Sequence, residues 1–125
     1  MGPLPIPTTH GQHYQDPHLE VDFEHKRVLL DSKPLGLTRK EYELLALLVQ
    51  NAGDVVDRHS LLFRVWGYSN QIRTRTLDVH IRRLRKKLGP LSGNYLETIF
   101  GVGYRFQPFR VLKPVERLAA VALRA

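Results

Sequence analysis

The stretch TRTLDVHIRRLRKKLG, from Thr74 to Gly89, predicts an amphipathic helix over about 74–88. At about 100° per residue, four apolar side chains fall within about 60° of one another. This apolar stripe consists of Leu77, Ile81, Leu84 and Leu88. The opposite face, here called the cationic strip, consists of Arg75, Val79, Arg82, Arg83 and Lys86, with Asp78, His80, Arg85 and Lys87 on its flanks. We therefore expect one face to pack on a core and the other to meet a partner.

Positive charge is concentrated in this segment. Residues 73–89 hold seven Lys or Arg and one Asp, a net charge of +6. The whole chain has a net charge of +7, so all other residues together contribute only +1. An ordinary solvated face mixes signs, but here the i,i+4 pairs Arg82–Lys86 and Arg83–Lys87 repel at a cost of roughly a few tenths of a kcal/mol each. A helix that keeps this repulsion is expected to have a polyanionic partner.

The chemistry of the cationic strip favours duplex DNA. Arginine suits bidentate contact with phosphate or guanine edges, and Val79 suits the methyl group of thymine. A helix fits the major groove of B-form DNA but not the deep groove of A-form RNA. Single-strand binders stack bases on exposed aromatic side chains, whereas core packing explains most aromatic positions here. These are Tyr42, Phe63, Trp66, Tyr95 and Phe106.

Two further helices are predicted before the basic one. Thr38 and Glu41 have the spacing of a capping box, which begins a first helix. Asp57 is the expected N-cap of a second helix, and Gly67 ends it. Together with the basic helix they predict a three-helix core.

Strand patterns flank the helices on both sides. LEVDF (19–23) and HKRVLLD (25–31) predict a hairpin, and SKPLGL (32–37) predicts a turn and a short third strand. YLETIFGVGYRF (95–106) predicts a second hairpin with glycines at its bend. The order of these elements indicates an α+β domain with a winged helix-turn-helix layout.

The chain divides into three predicted regions. Residues 1–17 carry four prolines and are expected to be a disordered lead, a linker remnant or an expression artefact. Residues 18–110 form the domain, and residues 111–125 form a tail that can be helical. The sequence lacks cysteine, a signal-peptide pattern and an apolar run of about 20 residues, so we expect a cytoplasmic protein.

Four motifs occur in a characteristic order: LTRKEYELLALL, VVDRHSLLFRVWG, RTLDVHIRRLRKKL and ETIFGVGYRF. Over roughly residues 19–106 they closely resemble the OmpR/PhoB-type winged-helix DNA-binding effector domain of bacterial two-component response regulators. The resemblance implies a four-stranded N-terminal antiparallel sheet, a third helix that acts as recognition helix, and a C-terminal β-hairpin wing (95–107). It also implies a receiver domain under phosphorelay control, dimeric or tandem binding to promoter direct repeats, and contact with RNA polymerase through loop 67–73. The MGPLP start favours an excised effector domain over a stand-alone regulator.

The resemblance also implies DNA-binding roles for particular residues. On the recognition helix these are Arg75, Thr76, Val79, His80, Arg82, Arg83 and Arg85, while Arg58, Trp66, Thr98 and Tyr104 match positions that contact the DNA backbone or belong to the wing. Lys86 joins them as a member of the cationic strip. The sequence departs from the family at Phe100, where many members have an arginine that enters the minor groove, because phenylalanine cannot replace that cation. Either Arg105 compensates in part, or the wing contacts DNA by packing alone.

Other interpretations are weaker. A basic interaction module that binds an acidic protein or an anionic membrane surface would leave the apolar stripe exposed to solvent. The six histidines show no metal-ligand spacing on a firm helix, and Gly101-Val-Gly103 lacks the third glycine of a dinucleotide site. Asp54, Asp57 and Glu97 have no accompanying nucleophile. We therefore expect no enzyme activity, no metal and no cofactor.

Overall fold

An antiparallel sheet forms the N-terminal part of the chain. The computed structural model describes residues 8–69 and 74–109, with side chains from residue 11 onward. Five strands follow one another in sequence order: β1 (Thr8–His10), β2 (His13–Gln15), β3 (Leu19–Asp22), β4 (Arg27–Leu30) and β5 (Lys33–Pro34). The predicted hairpin is confirmed as β3–β4, and the predicted third strand shortens to two residues. The sheet has one strand more than the resemblance implies.

Residues 8–10 and 13–15 are strands of this sheet, so the prediction of a disordered lead over 1–17 is wrong for these residues. β1 pairs with β2, and β2 pairs with β3. Tyr14 is buried with its ring edge against Phe106, the centroids lying 5.4 Å apart. Asp16 is also buried and accepts hydrogen bonds from the hydroxyls of Tyr14 (2.5 Å) and Tyr95 (2.8 Å). One aromatic and one acid fix this hairpin, which is why apolar periodicity does not reveal it. Residues 1–7 and the predicted tail, 111–125, lie outside the described residues.

Two of the three helices begin where their caps predict, and the third begins close to its predicted start. α1 (Arg39–Gln50) opens with the capping box, because Glu41 N donates to Thr38 Oγ1 (3.2 Å) and Thr38 N donates to Glu41 Oε1 (2.8 Å). α2 (Arg58–Trp66) follows Asp57, which accepts from the backbone of Ser60. Gly67 ends α2 in the left-handed conformation, with φ 75°. α3 (Thr76–Leu88) starts two residues later than predicted.

A three-stranded sheet completes the domain. Its order is β6 (Val55–Asp57), β8 (Gly103–Phe106) and β7 (Leu96–Ile99), all antiparallel. β7 and β8 are the predicted C-terminal hairpin, whereas β6 was not predicted because three residues between two helices show no alternation. The segment after α3 contains a 3₁₀ turn (Gly89–Leu91) and a one-turn helix, α4 (Ser92–Tyr95).

The core lies between α1, α2, α3 and the inner faces of both sheets. The whole apolar stripe of α3 is buried, each side chain being at most 1% exposed. Tyr95 stacks on Phe106, with ring centroids 5.5 Å apart. Phe63 is an exception to the expected core role of the aromatics, since it is 59% exposed on α2. The arrangement is a winged helix-turn-helix in which α3 occupies the place of the recognition helix and β7–β8 form the wing, as predicted.

Candidate nucleic-acid interface

The cationic strip is presented to solvent, as predicted. Arg75, Arg82, Arg83 and Lys86 are exposed, and Val79 between them is half-buried. Within the described ranges, none of the four cations forms a salt bridge. The strip therefore combines a rigid support, supplied by the buried stripe, with cations that remain available to an external anion.

Asp78 lies beside the strip and connects three elements. Its carboxylate accepts from Arg58 Nη1 (2.6 Å) and Nη2 (3.2 Å) at the start of α2. It also accepts from the hydroxyl of Tyr104 in β8, at 2.6 Å. The hydrogen bonds from Arg58 hold the pKa of Asp78 below its ordinary value, although burial opposes them. Arg58 and Tyr104, both predicted to contact the DNA backbone, are thus brought together by an acid that the sequence analysis did not single out as functional.

Arg85 connects α3 to the wing. Its Nη2 donates to the carbonyl oxygen of Leu96 (3.0 Å) and to Oγ1 of Thr98 (2.7 Å). Its guanidinium carbon lies 5.9 Å from the centroid of the Tyr104 ring. Arg85 and Thr98, two predicted DNA-contact residues, therefore hold each other in place within the domain.

Lys87 at the C-terminal end of α3 pairs with Glu41 of α1, with Nζ 2.5 Å from Oε1. Glu41 is only 1% exposed and is also the capping-box residue of α1. Burial raises the pKa of Glu41, but the hydrogen bonds from Lys87 and Thr38 outweigh it, so that the net shift is downward. This ion pair fixes the far end of the recognition helix, and its partners are 46 residues apart in sequence.

Trp66 and His80 form an aromatic contact at the edge of the core. Their ring centroids are 4.9 Å apart in an edge-on arrangement, and both side chains are half-buried. His80 Nδ1 lies 2.8 Å from the carbonyl oxygen of Thr76, and the Thr76 hydroxyl pairs with that of Thr74 at 2.7 Å. These contacts join Trp66, at the end of α2, to two predicted site residues in the first turns of α3, Thr76 and His80.

The tip of the wing is a hydrogen-bonded turn that presents an apolar surface. Val102 N donates to Ile99 O (3.0 Å), and Gly101 has φ 77°, the pattern of a type II turn. Phe100, at the first central position, is 90% exposed, and Val102 is 47% exposed. The wing thus carries an aromatic side chain at its outermost point.

The wing is fixed to the start of α2 as well as to α3. Arg58 N donates to Val102 O at 3.0 Å. Gly103 lies so close to β6 that a Cβ atom there would overlap the carbonyl oxygen of Val56. A surface groove of about 240 Å³ lies at this junction, and its lining includes Arg58, Asp78 and Phe100. The tip, the groove and the recognition helix form one continuous face.

Arg105 does not lie at the wing tip, where a cation would be needed to replace the arginine that many family members have at the position of Phe100. It pairs across the hairpin with Glu97, its Nε lying 2.7 Å from Oε1. This pairing neutralises the guanidinium in the middle of the wing rather than at its tip. The first alternative of the sequence analysis, in which Arg105 replaces the missing arginine, is therefore not favoured.

One group of potential metal ligands comes together in the described part of the chain. Asp22, Glu24 and His25 meet at the exposed turn between β3 and β4. His25 Nδ1 lies 2.7 Å from Asp22 Oδ2, so these two groups already satisfy each other. The group lies in the N-terminal sheet and contributes no residue to the face formed by α3 and the wing.

Comparison with known proteins identifies the class of domain. Residues 32–106 match the family described as "Transcriptional regulatory protein, C terminal". The chain belongs to this family, which includes the OmpR/PhoB-type effector domains of response regulators. The transcriptional regulatory protein SrrA of Staphylococcus aureus is 44% identical over 93 residues, which cover 72% of this chain and 39% of SrrA. The chain thus spans about two-fifths of the length of that relative.

Solved structures show the same fold. Response regulator DrrB, an OmpR/PhoB homolog from Thermotoga maritima, is 36% identical with a TM-score of 0.69, and the match covers 77% of this chain and 44% of DrrB. The DNA-binding domain of Klebsiella pneumoniae RstA, determined in complex with the RstA box, is 28% identical with a TM-score of 0.67. That match covers 82% of this chain and 98% of the RstA domain.

Proposed function

We propose that this chain binds double-stranded DNA sequence-specifically and thereby regulates transcription. One observation carries the proposal: α3 combines a fully buried apolar stripe with an exposed cationic strip. The cations of this strip form no salt bridge with any residue in the part of the chain that the structure describes. A helix supported in this way fits the major groove, where arginine donates to guanine edges and phosphates. The relative RstA, whose DNA-binding domain was determined with its own DNA box, supports the same use of the fold.

Within this proposal, the predicted site residues have two kinds of role. The exposed side chains of the strip contact bases and nearby phosphates directly, together with Thr76 and His80 at its edge; they are Arg75, Val79, Arg82, Arg83 and Lys86. The second kind both stabilises the domain and contacts the DNA backbone, through N–H or O–H groups that its internal partners leave free or, for Tyr104, through the ring, because its one hydroxyl proton is donated to Asp78. It comprises Arg58, Trp66, Arg85, Thr98, Tyr104 and Arg105, which already have partners inside the chain. The proposal assigns the chain no catalytic step.

The wing contacts DNA beside the major groove in this proposal. Phe100 and Val102 are the exposed apolar side chains of its tip. A phenylalanine cannot respond to the negative potential of a narrow minor groove as an arginine does, so its contact with the sugar-phosphate backbone or minor groove is apolar. We therefore assign sequence recognition chiefly to α3.

The resemblance and the relatives support a wider role in a longer protein. We propose a receiver domain in the parent chain and cytoplasmic control by phosphorelay, since the chain spans 39% of the relative SrrA. We further propose that two copies bind promoter direct repeats, as a dimer or in tandem. Contact with RNA polymerase is assigned to loop 67–73, of which residues 70–73 lie outside the described residues.

The rival hypothesis, a module for an acidic protein or an anionic membrane surface, has less support. It requires an accessible apolar face on the basic helix, whereas Leu77, Ile81 and the rest of the stripe are buried. Across residues 8–69 and 74–109, no helix has the length and apolar character needed to cross a bilayer.

In-vitro selection of duplexes from a random pool tests the proposal. Recovery of a shared sequence motif, with a defined spacing between repeats, is the expected result. Co-sedimentation with anionic liposomes, measured in parallel, distinguishes the rival. A pool that yields no shared motif, combined with strong liposome binding, would favour the membrane hypothesis.

A further inference from the structure

Asp78 is an acid at a place where an acid opposes the proposed function. It is the one acidic residue among residues 73–89, and it lies on the recognition helix beside the cationic strip. A carboxylate at an interface with a polyanion repels that partner, and simple electrostatics predicts that removing it strengthens binding. The acid must therefore have a compensating role if α3 binds DNA.

The contacts of Asp78 indicate what that role is. Oδ1 accepts from Arg58 Nη1 (2.6 Å) and from the Tyr104 hydroxyl (2.6 Å), and Oδ2 accepts from Arg58 Nη2 (3.2 Å). These bonds join α2, α3 and β8 at one point. A guanidinium has five N–H donors, and the fork on Asp78 uses two of them. Arg58 therefore retains donors for a phosphate while its orientation is fixed.

The exposure of the Arg58–Asp78 ion pair indicates that the pair affects DNA binding more than it affects folding. The side chains of Arg58 and Asp78 are 39% and 46% exposed, and ion pairs at such exposure contribute little to stability. A free arginine side chain, by contrast, loses considerable rotamer freedom when it is immobilised on a partner. An arginine that is already held in place has lost this rotamer entropy before DNA binds, so the loss does not weaken binding.

We propose that Asp78 is a positioning residue for DNA binding: it holds Arg58 and Tyr104 in place for the sugar-phosphate backbone, so that removing this negative charge weakens binding. This inference rests on the proposed function, because it assumes that the face formed by α3 and the wing meets duplex DNA. It assigns to Asp78 an effect opposite in sign to the one its charge alone predicts.

The test compares Asp78→Ala and Asp78→Asn with a matched surface variant, Asp54→Asn. Asp54 is exposed, precedes β6, and its carboxylate accepts no hydrogen bond from the described residues, yet its replacement changes the net charge by the same amount. The probe is a fluorescein-labelled duplex selected by the wild-type chain, with affinity measured by anisotropy. Circular dichroism melting confirms that each variant is folded, and Asp78→Asn, which conserves the side-chain shape, decides the question if Asp78→Ala does not fold.

Asp78→Ala is expected to bind this duplex about tenfold more weakly, the factor that corresponds to freeing one arginine side chain. Asp78→Asn is expected to lose less, and Asp54→Asn is expected to equal the wild type. The decisive comparison repeats Asp78→Ala in a chain that already carries Arg58→Ala and Tyr104→Phe. There the loss should vanish or become a gain, because only the repulsion remains to be removed.

Two results would overturn the inference. One is binding by Asp78→Ala and Asp78→Asn that is as tight as, or tighter than, wild-type binding. The other is an equal loss in the Arg58→Ala, Tyr104→Phe background, which would show that Asp78 acts through neither partner. Arg82→Ala distinguishes failure of this inference from failure of the proposed function. If only the inference about Asp78 is wrong, Arg82→Ala still weakens binding to the duplex. If the proposed function is wrong, Arg82→Ala leaves binding unchanged.

Discussion

Arg85 of the recognition helix donates a hydrogen bond of 2.7 Å to the hydroxyl of Thr98 in the wing. The same nitrogen donates to Leu96 O at 3.0 Å, so that one guanidinium joins α3 to two points of β7. The two elements proposed to contact DNA are therefore positioned relative to each other before any DNA is present. This relationship divides the arginines of α3 into those that stabilise the domain and those that are free to bind.

Arg85→Ala should lower the free energy of unfolding by about 1–2 kcal/mol, because the carbonyl oxygen of Leu96 and the hydroxyl of Thr98 lose a charged donor. Arg82→Ala, one of the exposed members of the strip, should change it by no more than about 0.5 kcal/mol. Urea denaturation of both variants measures the difference. Equal stabilities would show that the contact between Arg85 and the wing contributes nothing to the fold.

Phe100→Arg should restore an electrostatic contact at the wing tip. The variant is expected to bind a duplex with an A-tract beside the recognition site a few-fold more tightly, and its slope of log K against log salt should steepen by about one unit. Phe100→Ala is the control, since it removes the aromatic ring without adding charge and should leave the slope unchanged. A slope for Phe100→Arg that matches the wild type would argue that the tip does not reach the DNA.

Asp16→Ala should destabilise the domain strongly. The buried carboxylate accepts hydrogen bonds from the hydroxyls of Tyr14 and Tyr95. It also accepts from the backbone N–H groups of His18 and Leu19, at 2.8 Å in both cases. Its loss leaves buried donors without an acceptor, at a cost of about 2–4 kcal/mol in the free energy of unfolding. Tyr95→Phe, which removes one donor and leaves the acid, should cost about 1 kcal/mol. Asp16→Ala with wild-type stability in urea denaturation would refute the role of this network.

The Asp16 network also shows where sequence reasoning reaches its limit. The caps at Thr38, Asp57 and Gly67 were predicted because each depends on residues a few positions apart, and the structure confirms them. Asp16 has its partner Tyr95 at a separation of 79 residues, and no local pattern reports such a distance. The composition of residues 1–17, rich in proline and poor in apolar side chains, therefore predicts disorder, although the segment contains two strands.

The same limit applies to the candidate site. The helical period separates the apolar stripe from the cationic strip, and the burial of the stripe confirms that separation. It cannot separate Arg82 from Arg85, because both lie outside the stripe and only the position of the wing makes one of them a structural donor. Asp78 was visible as the one acid of the segment, but its partners became clear only when α2 and β8 were placed beside it.

Stability should depend on pH through Glu41. Its pKa is lowered in the folded chain, so its contribution is fully present above the ordinary value of about 4.3 and is lost as the pH falls through the lower folded value. Glu41→Gln should reduce the free energy of unfolding by about 1–2 kcal/mol near neutral pH, because Lys87 loses its charged partner. Urea denaturation at about pH 7 and about pH 3 should show this difference shrinking at the lower pH. A difference that stays constant or grows on acidification would contradict the assignment.

The most direct test of the central claim is the affinity of the wild-type, Arg82→Ala and Arg83→Ala chains for the selected duplex across a series of salt concentrations. If the exposed strip of α3 binds DNA, log K for the wild type falls linearly with log salt, by about 0.9 per phosphate neutralised. Each alanine variant then loses about 1–3 kcal/mol of binding free energy. A salt-independent affinity that both variants share with the wild type would contradict the account.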